Sequence, residues 1–250
     1  MPETRAFFRQ LILNFPSRPE FKFDNFVVSA GSEFAFKVAR QISSRTEVPY
    51  STLYLYGNRN LGKTHLLMAI GNQISQTQPE KTVVFLNGLD FVRKIADVRP
   101  EEINHSVNKL LEVDYFLLDD VDRVSGQPAA QEKLYHIYNT LTENGKKAVF
   151  AGTPAPDKLS GIESYLQSRL QWGMTAEIKP IDDTTTAKII AKLGADIGLT
   201  IPHKIVDYLL ARIPRDFISI KNSVEKINQE SFIQKKKVSL ALAKTALNLP

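Results

Sequence analysis

Two hydrophobic rhythms divide the chain. Up to about residue 180, short apolar runs of strand type alternate with stretches whose apolar residues recur at helical spacing. Beyond that point only the helical rhythm continues. Strands are predicted over Ser51–Tyr56, Lys81–Asn87, Val113–Leu118, Lys147–Gly152 and Thr175–Ile178. Helices are predicted over Thr64–Ile74, with Leu66, Leu67, Ile70 and Ile74 on one face, and over Leu89–Ala96 and Ile103–Leu111. A further helix over Gln131–Asn144 carries Leu134, Ile137, Tyr138 and Leu141, and one over Ser32–Ser43 carries Phe34, Phe36, Val38 and Ala39. Strands alternating with helices give a parallel sheet covered on both faces.

After Pro180 the pattern predicts helices from an Asp183 cap to a Gly198 exit, from Pro202 to Ile213, from Arg215 to Ser231 and from Ser239 to Leu247. The expected fold class is therefore α/β: a five-stranded parallel sheet with helices on both faces, plus a small all-helical domain. The expected divisions are a tail over 1–18 that ends in the Pro16–Pro19 stretch, a base over 19–180 and the helical part over 181–250.

The connection between the first strand and its helix carries the strongest chemistry. Gly57-Asn58-Arg59-Asn60-Leu61-Gly62-Lys63-Thr64 is a complete P-loop, G-x-x-x-x-G-K-[ST]. Glycines let successive N–H groups turn toward the α- and β-phosphates, Lys63 reaches the β- and γ-phosphates, and the Thr64 hydroxyl can ligate Mg²⁺. Strand, loop and helix stand in the order that points a helix N-terminus at the phosphates. ATP or ADP with Mg²⁺ is the expected cofactor.

The third strand supplies the acidic partner. Tyr115–Leu118 is apolar and ends in Asp119 and Asp120. Asp119 is placed to hold Mg²⁺ through water, and Asp120 to polarise an attacking water. Thr153, after the fourth strand, reads equally as a contact to the γ-phosphate or as a turn residue before Pro154. Arg169 reads as an arginine finger directed at a neighbour's γ-phosphate or as a surface ion pair.

Composition trims the alternatives. The chain has 250 residues, 43% hydrophobic and 24% charged, in the range of soluble globular proteins. It has no cysteine, which excludes disulfides and thiolate metal sites. The four histidines lack metal-ligand spacing. No apolar run reaches membrane-spanning length and Met1–Gln10 has no signal-peptide core, so a cytoplasmic location is expected. A net charge of +5 permits contact with nucleic acid without demanding it, and Lys235–Lys237 reads as a solvated loop.

Taken in order, several motifs resemble the DnaA/Hda family of AAA+ proteins. Phe23-Asp24-Asn25-Phe26-Val27-Val28 is similar to the family's segment ahead of the first helix, which implies that Phe26 and Val27 lie at the nucleotide. Leu61–Leu67 followed by Ala69-Ile70-Gly71-Asn72 resembles its P-loop helix, and Asp119-Asp120-Val121 its Walker B strand. Ser168-Arg169-Leu170 with Trp172-Gly173 resembles the box that carries its arginine finger. The likeness runs from about Phe21 to the C-terminus and is closest to Hda-like members, regulatory inactivators of DnaA. It implies an AAA+ base with a helical lid.

Two features separate the family's branches. The chain stops at Pro250, where the lid is expected to end, so no helix-turn-helix and no sequence-specific duplex DNA binding are expected. Gln10-Leu11-Ile12-Leu13-Asn14-Phe15 resembles the peptide by which Hda docks on the β sliding clamp of DNA polymerase III. Extended, it sets Leu11, Leu13 and Phe15 on one side, with Gln10 at the rim. The competing reading packs the same side chains on the protein's own sheet. Ile218 stands where DnaA-type lids usually carry a sensor arginine, with Arg215 one turn earlier, so the chain's own ATP hydrolysis is expected to be weak or absent. Arg123–Ala130 has one basic residue, which gives no support to single-strand DNA contacts.

The expected function is an Hda-like regulator that binds nucleotide and clamp and offers Arg169 to ATP on DnaA. The expected partners are thus DnaA and the clamp, with a homo-oligomer possible and no membrane. The rival readings are an autonomous ATPase or helicase loader of DnaC type, and a DnaA-like recruitment module without a catalytic role.

Overall fold

The computed structural model describes residue 15, residues 18–96 and residues 109–249. The chain divides into two compact units, one of residues 1–28 and 33–178, the other of residues 29–32 and 179–250.

The first unit is a parallel sheet in the order β2-β3-β4-β1-β5. Its strands are β1 (Thr52–Tyr56), β2 (Val83–Asn87), β3 (Tyr115–Asp119), β4 (Lys147–Gly152) and β5 (Met174–Glu177). Every strand pair is parallel and in continuous register, from Leu53 opposite Val149 to Phe116 opposite Ala148. The three inner strands are almost wholly buried, which is why they read as unbroken apolar runs.

Among the described residues the sheet is covered by α1 (Glu33–Ile42), α2 (Lys63–Thr77), α3 (Gly88–Ala96), α4 (Pro128–Glu143) and α5 (Ser164–Gln171). One core, around Leu53, Leu66, Ile70, Leu117 and Val149, lies under α1 and α2. The other, around Tyr54, Phe116, Leu134, Ile137 and Phe150, lies under α4 and α5. Alternate residues of β1 and β3 point into opposite cores, as the pleat requires.

At the start of β3, Asp114 accepts from the Thr82 N–H and from Lys81 and Lys146. Burial alone would raise its pKa, but these donors together hold the carboxyl well below its ordinary range.

The structure corrects several details of the sequence pattern. α1 buries Ala35, Val38, Ala39 and Ile42, while Phe34 is exposed and Phe36 only half-buried. β2 starts at Val83 and β3 at Tyr115, each two residues later than the pattern predicts. α5 is a helix that the apolar pattern does not predict. The helix expected over Ile103–Leu111 lies mostly outside the described residues.

The second unit holds α6 (Asp183–Asp196), α7 (His203–Leu210), α8 (Phe217–Gln234) and α9 (Leu240–Leu247). The cap of α6 is Asp182, not Asp183: its carboxylate accepts from the Thr185 N–H at 2.8 Å. Asp216 caps α8 in the same way through Ser219, and Ser239 caps α9. The Tyr208 ring contacts two cations, the Arg212 guanidinium 4.1 Å and the Lys244 ammonium 5.7 Å from its centre.

Candidate nucleotide site

β1 ends at Tyr56 and the chain turns at Gly57, whose φ of 149° is favoured by glycine. A β-carbon there would collide with the Ile178 carbonyl, and the Gly57 N–H reaches the Thr153 carbonyl at 3.3 Å. The loop is therefore wedged between the ends of β4 and β5. Asn58, Arg59 and Asn60 form its exposed tip, Asn60 in the left-handed region. Leu61 is buried as the loop's apolar anchor.

Gly62, also left-handed, precedes α2, and no side chain caps that helix. Its first N–H groups are thus available to phosphate oxygens. The Phe26 ring lies 2.7 Å from where a Gly62 β-carbon would stand. It stacks on Phe36 and meets His65 edge-on. Phe26 is thereby fixed against the loop by three neighbours, with the half-buried Val27 next in the chain.

The reactive side chains converge on this loop. Lys63 Nζ donates to the Gly57 carbonyl at 2.7 Å and to the Asn58 carbonyl at 2.8 Å. Burial lowers the Lys63 pKa, opposed by Asp119, Asp120 and Asp122 and aided by Arg59. Thr64 Oγ1 donates to Asp119 Oδ2 at 2.6 Å. Asp119 is buried, which raises its pKa against the pull of the Thr64 hydroxyl and Lys63. A divalent cation there would stabilise the ionised carboxylate.

One hydroxyl and one carboxylate suit Mg²⁺, which takes few protein ligands and keeps phosphate and water oxygens around it. Among the described residues no cluster of three or more His, Cys, Asp or Glu could hold a metal by itself. The donor set therefore fits Mg²⁺ brought in with a nucleotide.

Asp120 follows in the left-handed conformation, φ 49°. Its carboxylate accepts from Asn87 Nδ2 at 3.2 Å. A non-glycine residue held this way is a mark of a constrained site. Thr153 engages through its backbone, its N–H donating to Asp122 Oδ1 at 3.1 Å. Asn87 therefore holds the carboxylate of Asp120, and Asp122 holds the backbone at Thr153. Neither stood out in the sequence, because a single Asn at a strand end and a third Asp in an acidic turn carry no spacing signal.

Arg169 lies on α5, with its guanidinium carbon 5.9 Å from the centre of the Tyr135 ring. It makes no ion pair among the described residues. Arg215 pairs with Asp183 at 2.7 Å and also donates to the Leu210 carbonyl, so it is engaged within its own helical unit. Ile218 is half exposed.

The tail residues Gln10, Leu11 and Leu13 lie outside the described residues. Phe15 does not extend as a free docking side chain. Its ring edge fills the space where a Gly71 side chain would be, on α2. Two hydrogen bonds from Asn72 Nδ2, to the Arg18 and Phe21 carbonyls, fasten the following chain to the same helix. For Phe15 the competing own-domain packing is the one observed. Phe15→Ala is expected to lower stability by about 1–3 kcal/mol, less than a fully buried Phe, as read by denaturant unfolding.

The strand order, the P-loop and the Asp119 strand define an α/β P-loop NTPase of the AAA+ class. The chain belongs to the family of the bacterial DnaA ATPase domain, which it matches over residues 18–177. It is 30% identical over 230 residues to the chromosomal replication initiator protein DnaA of Wolinella succinogenes, covering 92% of this chain and 52% of that protein. It spans about half the length of the curated relatives it matches. Domain III of Thermotoga maritima DnaA superposes with a TM-score of 0.81 at 30% identity, covering 94% of this chain and 98% of that one. AMPPCP-bound DnaA from Aquifex aeolicus superposes with a TM-score of 0.79 at 29% identity, covering 88% and 68%. No helix among the described residues is long and apolar enough to cross a membrane.

Proposed function

We propose that this chain is a nucleotide-holding AAA+ regulator of chromosomal replication initiation that offers Arg169 to ATP bound on DnaA. Arg169 carries the reading: it is a half-buried arginine without an ion-pair partner among the described residues, held on an aromatic ring. A cation without a carboxylate partner suits a phosphate supplied from outside. Trp172, three residues on, is 72% exposed, and an exposed Trp beside an Arg is the composition of a protein-interface anchor.

The chain's own site binds ATP or ADP through Lys63, Thr64 and the α2 N-terminus, with Mg²⁺ held by Thr64 and, through water, Asp119. Phe26 and Val27 face the base. Asp119→Asn is expected to remove most of the Mg²⁺ enhancement of nucleotide affinity, about 10- to 100-fold, while metal-free binding changes little. Titration calorimetry with and without Mg²⁺ reads this directly.

The β sliding clamp docks on the tail through Gln10, Leu11 and Leu13, with Phe15 serving as the tail's anchor on α2. The experiment for the whole reading is hydrolysis of ATP pre-bound to DnaA, with clamp loaded on DNA. Adding this chain should accelerate it, and an unchanged rate would sink the proposal. The intact Lys63, Thr64, Asp119 and Asp120 favour a second reading, an autonomous ATPase or helicase loader. Steady turnover by the chain alone, abolished by Lys63→Ala, would select it.

A further inference from the structure

The residues around Arg169 form a support that the trans-acting reading does not require. Arg169 and Tyr165 lie four residues apart on α5, hence on one face. Tyr135 comes from α4. Its ring meets that of Tyr165 at 4.9 Å between centres and an interplanar angle of 75°. The edge-on contact fixes the plane of Tyr135, and the guanidinium of Arg169 lies over that ring.

Asn139, one turn further along α4, and Arg169 both draw the pKa of the Tyr135 phenol below the ordinary tyrosine value, as polar groups close to its oxygen do. Acidic groups surround the cluster: Glu143 near Tyr135, and Glu132 and Glu163 near Tyr165. Among the described residues none of them pairs with Arg169. The arginine thus rests on an aromatic ring, with its charge unpaired among the described residues.

A free arginine side chain carries roughly 2 kcal/mol of rotamer entropy. An arginine that must meet a γ-phosphate supplied by another chain loses that freedom on docking unless it is restricted beforehand. A carboxylate could restrict it, but would also neutralise it. A tyrosine restricts it without competing for the charge.

From this geometry we propose that Tyr135 is a positioning residue that holds Arg169 in the pose it offers to a nucleotide on a partner P-loop domain. The inference rests on the reading that Arg169 acts in trans. It extends that reading by assigning a residue that touches neither nucleotide nor partner phosphate.

Two measurements test it. The first is single-turnover hydrolysis of ATP pre-bound to DnaA, followed against the concentration of this chain. Tyr135→Ala should lower the saturating rate by about two- to fivefold, the weight of one ring contact near the surface. Its half-saturating concentration and thermal midpoint should stay near wild type. Tyr135→Phe, which keeps the ring, should recover most of the rate. The second measurement needs no partner: ¹⁵N relaxation of the Arg169 Nε–Hε group should show a marked loss of order in Tyr135→Ala and only a small one in Tyr135→Phe.

If Arg169→Ala abolishes stimulation while Tyr135→Ala has no effect on the saturating rate or on Arg169 order, Tyr135 has no positioning role and the trans reading survives. A Tyr135→Ala effect confined to half-saturation or to thermal stability would equally overturn it. If Arg169→Ala itself leaves the rate unchanged, the trans reading falls and this inference with it.

Discussion

Replacing Arg169 with alanine should return hydrolysis of DnaA-bound ATP to the rate DnaA shows alone. Arginine fingers contribute about 10³- to 10⁵-fold to such reactions, so the stimulated rate should fall by at least about 10³-fold. The fold should tolerate the change. Arg169 makes no ion pair among the described residues, and its ring contact with Tyr135 is at the protein surface. Such a contact is worth about 0.5–1 kcal/mol, so the unfolding midpoint should move little. Arg169→Lys should fail almost as badly as alanine. An ammonium cannot present the planar fork that binds two phosphate oxygens at once. Rapid-quench measurement of phosphate release, at saturating concentrations of each variant, separates a lost finger from weakened docking.

Lys63→Ala should weaken nucleotide binding to this chain by about 10²- to 10³-fold. The ammonium now holds two loop carbonyls, at 2.7 and 2.8 Å. A phosphate between the loop and α2 would take over at least part of that coordination. Two charge-assisted hydrogen bonds of about 1.5–3 kcal/mol each, less the two carbonyl contacts given up, lead to the stated range. Arg59 is nearby, but it sits on the exposed loop tip and cannot replace a cation directed into the loop. Equilibrium titration with a fluorescent ADP analogue checks the figure. The same variant should retain its melting temperature without nucleotide and lose the stabilisation that added nucleotide gives the wild type.

The sequence was legible where spacing and chemistry reinforced each other. The P-loop stands between a buried strand and a helix, and the structure brings its Thr64 to within 2.6 Å of the carboxylate of Asp119, 55 residues away. Leu66, Leu67, Ile70 and Ile74 are all fully buried, as their helical spacing demands. The same holds for Leu134, Ile137 and Leu141 on α4.

It was less legible where hydrophobicity outran geometry. Phe34 is large and apolar, but the inward face of α1 is the stripe through Ala35, Val38, Ala39 and Ile42, which leaves Phe34 outside. α5 buries only Leu166 and Leu170, too few apolar positions to register as a helical period. Phe15 looked like part of a docking peptide because its spacing from Leu11 and Leu13 is that of one side of an extended chain. The space that receives it is made by the missing side chain of Gly71, 56 positions later, and no local pattern announces such a fit. Asp182 rather than Asp183 caps α6 for a related reason: two adjacent carboxylates both satisfy the composition of a cap, and only backbone geometry distinguishes them.

In the proposed function the reaction of consequence occurs on a partner's nucleotide and not on this chain's own. The direct test places the label. DnaA is loaded with γ-labelled ATP and this chain with unlabelled ADP, and release of labelled phosphate is followed in a single turnover with clamp on DNA. Action in trans requires rapid release that depends on this chain and vanishes with Arg169→Ala. Release at the rate of DnaA alone, together with fast hydrolysis when the labelled ATP is placed on this chain instead, would contradict it.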